Sequence, residues 1–163
     1  MAAPGASNAF ACNCGELYKP LLLNETRVVC VDSAQGEDDP VLTFQIFDLD
    51  DPQDGEFRQE YTAVSYTWGI EVSKAFVPVR CASGGVHNVA VSENVIPLVA
   101  QVRRFGVRYI WVDQLSINQA SENELATQIT LMRIIYERAW KIFIWLGEER
   151  MTATWQWPPS TIS

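Results

Sequence analysis

The chain has a single histidine, no glycine-rich phosphate loop and no long apolar run, and each shortage closes off a class of function. Neither a Walker-type loop nor a Gly-x-Gly-x-x-Gly pattern occurs, which argues against an ATPase and against a dinucleotide-dependent dehydrogenase. No stretch approaches the roughly 18 consecutive apolar residues of a membrane helix. The opening residues, Met-Ala-Ala-Pro-Gly-Ala-Ser-Asn, lack the basic and apolar regions of a secretory signal. A cytoplasmic protein without a membrane span is the expectation. Positive charge is also scarce: 12 Lys and Arg stand against 20 Asp and Glu, the net charge is -8, and the basic residues form no stripe. Nucleic acid is therefore not an expected partner, since it is bound through clustered Lys and Arg. Of the 4 cysteines, Cys12 and Cys14 form a Cys-x-Cys pair with no second pair and no nearby histidine, a poor zinc ligand set. No metal is expected. Cys30 and Cys81 fall in apolar runs and read as small, reduced core residues.

What is present is apolar periodicity of two kinds. With 163 residues and 48% apolar composition, the chain has enough material for one domain with a core. The runs Arg27 to Val31, Val41 to Phe47, Tyr61 to Trp68, Phe76 to Arg80 and Val86 to Val91 read as strands. The last two are joined across Ser83-Gly84-Gly85, where both glycines are expected to supply positive φ. Between Glu37 and Glu60 lie 9 carboxylates. Within them, Asp48 to Glu56 superficially resembles a calcium loop, but Pro52 and Tyr61 stand where ligands belong, so it reads as a solvated acidic loop. Val95 to Arg104, with Pro97 in its first turn and Gly106 beyond its end, reads as a short helix.

The central stretch is Tyr109 to Gln119, Tyr-Ile-Trp-Val-Asp-Gln-Leu-Ser-Ile-Asn-Gln. Its apolar run stops at Asp113 and gives way to a polar loop, then to a periodic helix from Ser121 to Trp140, then to a second apolar run, Ile142 to Leu146. The order is strand, helix, strand, a βαβ unit whose two strands run parallel. Leu125, Ile129, Met132, Tyr136 and Ala139 define the helix's buried stripe, widened by Leu131 and Ile135. Ser121 with Glu124 three residues on is a capping box, in which the carboxylate reaches back to the Ser121 N–H. On that reading Gln at position 124 would keep the box and change stability by less than about 1 kcal/mol. The expected fold class is α/β: a mixed sheet with parallel βαβ crossovers flanked by helices, plus N-terminal β-hairpins. Residues 1–26 are expected to form a disordered or extended tail, 27–147 the domain, and 148–163 an irregular tail.

Four blocks, in order, carry a family resemblance: Tyr61-Thr-Ala-Val-Ser-Tyr-Thr-Trp-Gly69; Ile110 to Gln119; Glu124 with Gln128, Met132, Ile135-Tyr136 and Ala139; and Ile144-Trp-Leu-Gly147. Together they resemble the fungal heterokaryon incompatibility (HET) domain over about Arg27 to Gly147. Two positions depart from the family's pattern: Val64 replaces Leu, and Ser116 replaces Cys. The second removes a thiol, and a serine without a neighbouring histidine is a poor nucleophile. Family members generally continue well beyond Gly147, so the chain reads as an abbreviated member.

The resemblance implies a role in nonself recognition and programmed cell death, with death-effector or sensor proteins, or a second copy, as partners. It also implies a distant likeness to TIR domains, some of which cleave NAD. NAD would then be a substrate, with no cofactor required. Nicotinamide is a cationic leaving group that needs no acid, so one carboxylate, Glu124, would suffice to stabilise the ribosyl cation. Ser65, Trp68, Gly69, Asp113, Asn118 and Gln119 would bind the substrate at the carboxyl ends of the strands. Each has a plainer reading: Glu124 as a cap, Asp113 as a strand-end acceptor, Asn118 and Gln119 as loop amides, Ser65 as a small packing residue. Trp111, inside an apolar run, reads as core rather than as a stacking platform. A non-catalytic signalling module, or an inactive fragment, is the alternative to the enzyme.

Overall fold

The computed structural model describes residues 17–31, 41–51, 60–67, 74–147 and 153–155. The tail to Gly15, most of the acidic segments, Trp68 and Gly69 lie outside the described residues. The elements are β1 (Glu25–Cys30), β2 (Leu42–Asp48), β3 (Thr62–Tyr66), β4 (Lys74–Arg80), β5 (Val86–Ser92), α1 (Val95–Arg104), β6 (Tyr109–Trp111), α2 (Asp113–Ser116), α3 (Glu122–Arg138), β7 (Lys141–Trp145) and β8 (Ala153–Trp155).

All the strands join one mixed sheet in the order β5-β4-β2-β1-β6-β3-β7-β8. Its parallel centre is β6-β3-β7, with Ala63 level with both Trp111 and Ile142. The βαβ unit read around Asp113 is therefore real, but β3 lies between its two strands. β1 and β2 form an antiparallel pair, β4 and β5 a second one, and β2 and β4 run parallel. The segment expected to be an irregular C-terminal tail supplies β8, which pairs antiparallel with β7 and satisfies that strand's outer backbone groups.

Alternate strand residues fall into two apolar clusters, as the two-residue period of a strand requires. Val29, Val64, Ile110 and Phe143 pack with Val95, Leu98 and Val102 of α1. Val28, Ala63 and Trp111 pack with Ile135 of α3 and with Ala139 at its C-cap. The two helices thus cover opposite faces. α1 ends in a Schellman arrangement: Val107 N–H donates to Val102 O, Gly106 N–H donates to Arg103 O, and Gly106 takes φ +71. In the β4–β5 turn only Gly84 takes positive φ; Gly85 does not.

The stripe of α3 differs from its sequence reading at one position. Ile129 is 55% exposed, whereas Gln128 and Ile135 are buried. A polar partner displaces the apolar residue: Gln128 Oε1 accepts from Thr26 Oγ1 at 2.7 Å and its Nε2 donates to Glu25 O at 2.8 Å. Thr26 Oγ1 in turn accepts the indole N–H of Trp111 at 3.0 Å. This chain of bonds makes Trp111 core, as expected, and stitches α3 to β1 and β6. Tyr136 O–H adds a bond to Val64 O at 2.9 Å. Ile135→Ala is expected to cost about 2–4 kcal/mol in urea unfolding, and Ile129→Ala under about 0.5 kcal/mol. Similar costs at the two positions would contradict this packing.

Candidate functional site

The site forms where β6 ends. β1 runs antiparallel to β6 with Val29 opposite Ile110, so Arg27 comes level with the start of the polar loop. There its guanidinium is 1% exposed and its Nη1 donates to Glu124 Oε1 at 2.7 Å, with Glu124 itself 13% exposed. Arg27 Nη1 also reaches Ser116 O at 2.8 Å, and Nη2 reaches Lys19 O at 2.6 Å. The Tyr18 and Phe44 rings lie 4.7 and 5.8 Å from the guanidinium carbon, within cation–π range. Tyr18 and Lys19, expected as part of a disordered or extended tail, are thereby held against the fold.

Glu124 departs from the capping box. Ser121 Oγ does accept from Glu124 N–H at 3.3 Å, but Ser121 N–H donates to Asn118 O, not to the Glu124 carboxylate. Glu124 Oε1 instead takes Arg27 and the Asn118 N–H, the latter at 2.8 Å. A buried guanidinium outcompetes a solvent-satisfiable helix N–H for the carboxylate, because leaving the cation unpaired is far more costly. The residue that sequence reading missed is Arg27. Its signal was a charged side chain opening the apolar run Arg-Val-Val, which demands a buried anion.

Asn118 and Gln119 organise the loop. Asn118 Oδ1 accepts from Ala120 N–H, and Gln119 Nε2 donates to Asp113 O at 3.0 Å. Asp113 begins α2, where its Oδ1 accepts from Tyr66 O–H and from Gln114 N–H, each at 2.7 Å. Burial, reinforced by the Asp113 carboxylate, pushes the Tyr66 phenol far up, so it stays a donor. Ser116, the departure from the family's Cys, is fully buried, and its Oγ accepts from Val112 N–H at 3.1 Å. Ser65 is exposed at the end of β3.

An open cleft of about 640 Å³ lies between 17–23 and the first half of α3, lined by Leu21, Asn118, Ser121, Glu124 and Thr127 among others. Glu124 and Asn118 meet there. Ser65, Asp113 and Gln119 do not line it; Asp113 belongs instead to the Tyr66 contact beside it. Among the described residues no group of His, Cys, Asp and Glu is arranged to hold a metal ion. No helix among them is long and apolar enough to cross a membrane.

The profile of the heterokaryon incompatibility protein (HET) family matches residues 61–158. The chain belongs to the HET family. Over 100 residues it is 29% identical to heterokaryon incompatibility protein 6, OR allele, of Neurospora crassa, an alignment covering 53% of this chain and 14% of that protein. The HET chain thus spans a small part of its relative's length. No solved structure matches it. The family's blocks fall on structural positions: Gln128 in the bond chain to Thr26, Tyr136 on β3, Asp113 under Tyr66.

Two outcomes follow from this geometry. Glu124→Gln leaves Arg27 buried without its counter-ion and is expected to destabilise the fold by about 3 kcal/mol, not the sub-kilocalorie cost of a preserved capping box. Pairing it with Arg27→Met is expected to recover most of that loss in urea unfolding; a neutral single variant would refute the ion pair's role. Burial also raises the phenols of Tyr18 and Tyr136 to about 12, and those of Tyr61 and Tyr66 further. Since unfolded tyrosine ionises near 10, this contribution is complete below pH 10 and lost as pH rises through 12. The urea midpoint should fall between pH 9 and pH 11; an unchanged midpoint would contradict the burial of these rings.

Proposed function

We propose that this chain acts in heterokaryon incompatibility, serving nonself recognition and programmed cell death as an effector module that associates with sensor or other death-effector proteins. Family membership and the name of the Neurospora relative support the incompatibility role. The observation that favours association over catalysis is the 2.7 Å ion pair between Glu124 and buried Arg27. A carboxylate that stabilises a ribosyl cation works by uncompensated negative charge at the reacting carbon. Here a guanidinium already answers that charge. The exposed side of α3 offers a surface for association, with Ile134 in line with Asn123, Thr127, Thr130 and Glu137 at helical spacing.

A second reading, TIR-like cleavage of NAD, is favoured by the position of Glu124 on the wall of an open cleft near a helix N-terminus. The cleft's size of about 640 Å³ is within the range of small-molecule sites. In that reading nicotinamide departs with the electrons of its bond to ribose, Glu124 stabilises the ribosyl cation, and water completes the hydrolysis. Of the residues expected to bind substrate, Asn118 lines this cleft with Glu124 and is the candidate; Ser65, Asp113 and Gln119 do not line it, and Trp68 and Gly69 lie outside the described residues.

The test combines NAD consumption by concentrated purified protein with killing by the expressed chain, comparing the parent, the Arg27→Met/Glu124→Gln double variant and Thr130→Arg at matched expression. Association predicts no NAD loss above the blank, killing kept by the double variant, and killing abolished by Thr130→Arg. If the double variant folds yet loses NAD consumption and killing together, the association reading is wrong and catalysis replaces it.

A further inference from the structure

The chain's single histidine meets a cysteine in the β4–β5 hairpin. Val79 pairs with His87 in the β4–β5 hairpin, which puts Cys81, two residues on, diagonal to His87 on the same face. Cys81 is half-exposed, not the core residue its apolar run suggested, because β4 ends at Arg80 and the turn lifts the thiol to the rim. Its Sγ is 3.2 Å from Ser83 Oγ, and His87 hydrogen-bonds to it as well. The turn fixes this arrangement, with Cys81 N–H donating to Gly85 O at 2.8 Å and Gly84 N–H to Cys81 O at 2.9 Å.

The thiol opens onto a second cleft of about 550 Å³, distinct from the one beside Glu124. Its charged lining residues are Lys19, Arg27 and Arg80, and no carboxylate lines it among the described residues. On a chain of net charge -8 this is a locally cationic groove. Arg27 is committed to Glu124, but Lys19 and Arg80 are exposed at the rim. A partly exposed cysteine with a histidine and a hydroxyl on its sulfur, in a positive groove, is the environment in which a thiolate forms and anionic reagents collect.

We propose that Cys81 is a thiol-modification site that forms a mixed disulfide with anionic low-molecular-weight disulfides. The Cys81 thiolate, its proton given up to solvent, attacks one sulfur of the small disulfide. A new S–S bond forms as the old one breaks, and the departing thiolate carries off the electron pair and takes up a proton. Cys81 is oxidised and half of the small disulfide is reduced to a thiol. The hydrogen bonds from Ser83 and His87 hold the Cys81 thiol down to about 7, so the reactive form is abundant at neutral pH. Lys19, Arg27 and Arg80, the charged groups that line the sulfur's groove, leave the thiol's ionisation to these hydrogen bonds, and exposed Lys19 and Arg80 attract the anionic reagent.

The experiment treats the reduced full chain with glutathione disulfide, and separately with the uncharged dipyridyl disulfide, and maps adducts by peptide mass. Cys81 is expected to be modified at least about tenfold faster than Cys30, half-maximally near pH 7. Lys19→Gln with Arg80→Gln should slow glutathione disulfide several-fold and leave the uncharged reagent unaffected, and His87→Ala should move the half-point to higher pH. Far-UV circular dichroism checks that each variant folds. The proposal is overturned if unaltered Cys81 reacts no faster than Cys30, or if its rate still climbs steeply above pH 8.

Discussion

Burying a guanidinium costs several kcal/mol unless its charge and its hydrogen-bonding capacity are answered, and Arg27 obliges four parts of the chain to answer it. Glu124 brings the N-terminus of α3, Ser116 brings α2, Lys19 and Tyr18 bring the segment before β1, and Phe44 comes from β2. None of these contacts is near in sequence to all the others. The arginine therefore fixes where the loop after β6 lies and how α3 enters the fold. The cleft beside Glu124 is a by-product of that convergence: its walls are the segments that Arg27 holds.

Around this pair, the polar residues at the sheet's functional end are largely employed in building it. Asp113 receives Tyr66, Gln114 ties α2 to Ser92 of β5, Ser116 closes its own turn, and Gln128 links α3 to β1. Each such bond is worth of order 1 kcal/mol, but leaving any of these buried groups unpaired would cost more. The polarity of the HET blocks here is accounted for by the fold, and Glu124 is the acidic side chain that also faces the open cleft. That double position is why one residue can be read both as a latch and as a reagent.

The parallel strands and both long helices were legible because their signals are local: β-branched runs, a three-to-four residue stripe, Gly106 past a helix end. α1 spans the residues its pattern suggests. What was not legible is long-range. Nothing near Glu124 in sequence reveals that its partner is Arg27, 97 residues away, so the local capping box was the natural and wrong assignment for its carboxylate. Ile129 misled for the same reason, since only Thr26 explains why Gln128 is buried in its stead. Strand order was hidden too: that β3 separates β6 from β7 depends on pairings that no window of sequence contains.

That order has a consequence for how the chain reaches its native state. β1 closes against β6, and β3 is sandwiched between β6 and β7, so the middle of the sheet is assembled from strands whose partners emerge much later from the ribosome. Loop-closure entropy is lost before those pairings return any energy. Until β6 and β7 arrive, β1 and β3 present bare edges and their apolar faces to whatever else is in solution. The centre of the sheet therefore closes only once β7 is available to flank β3.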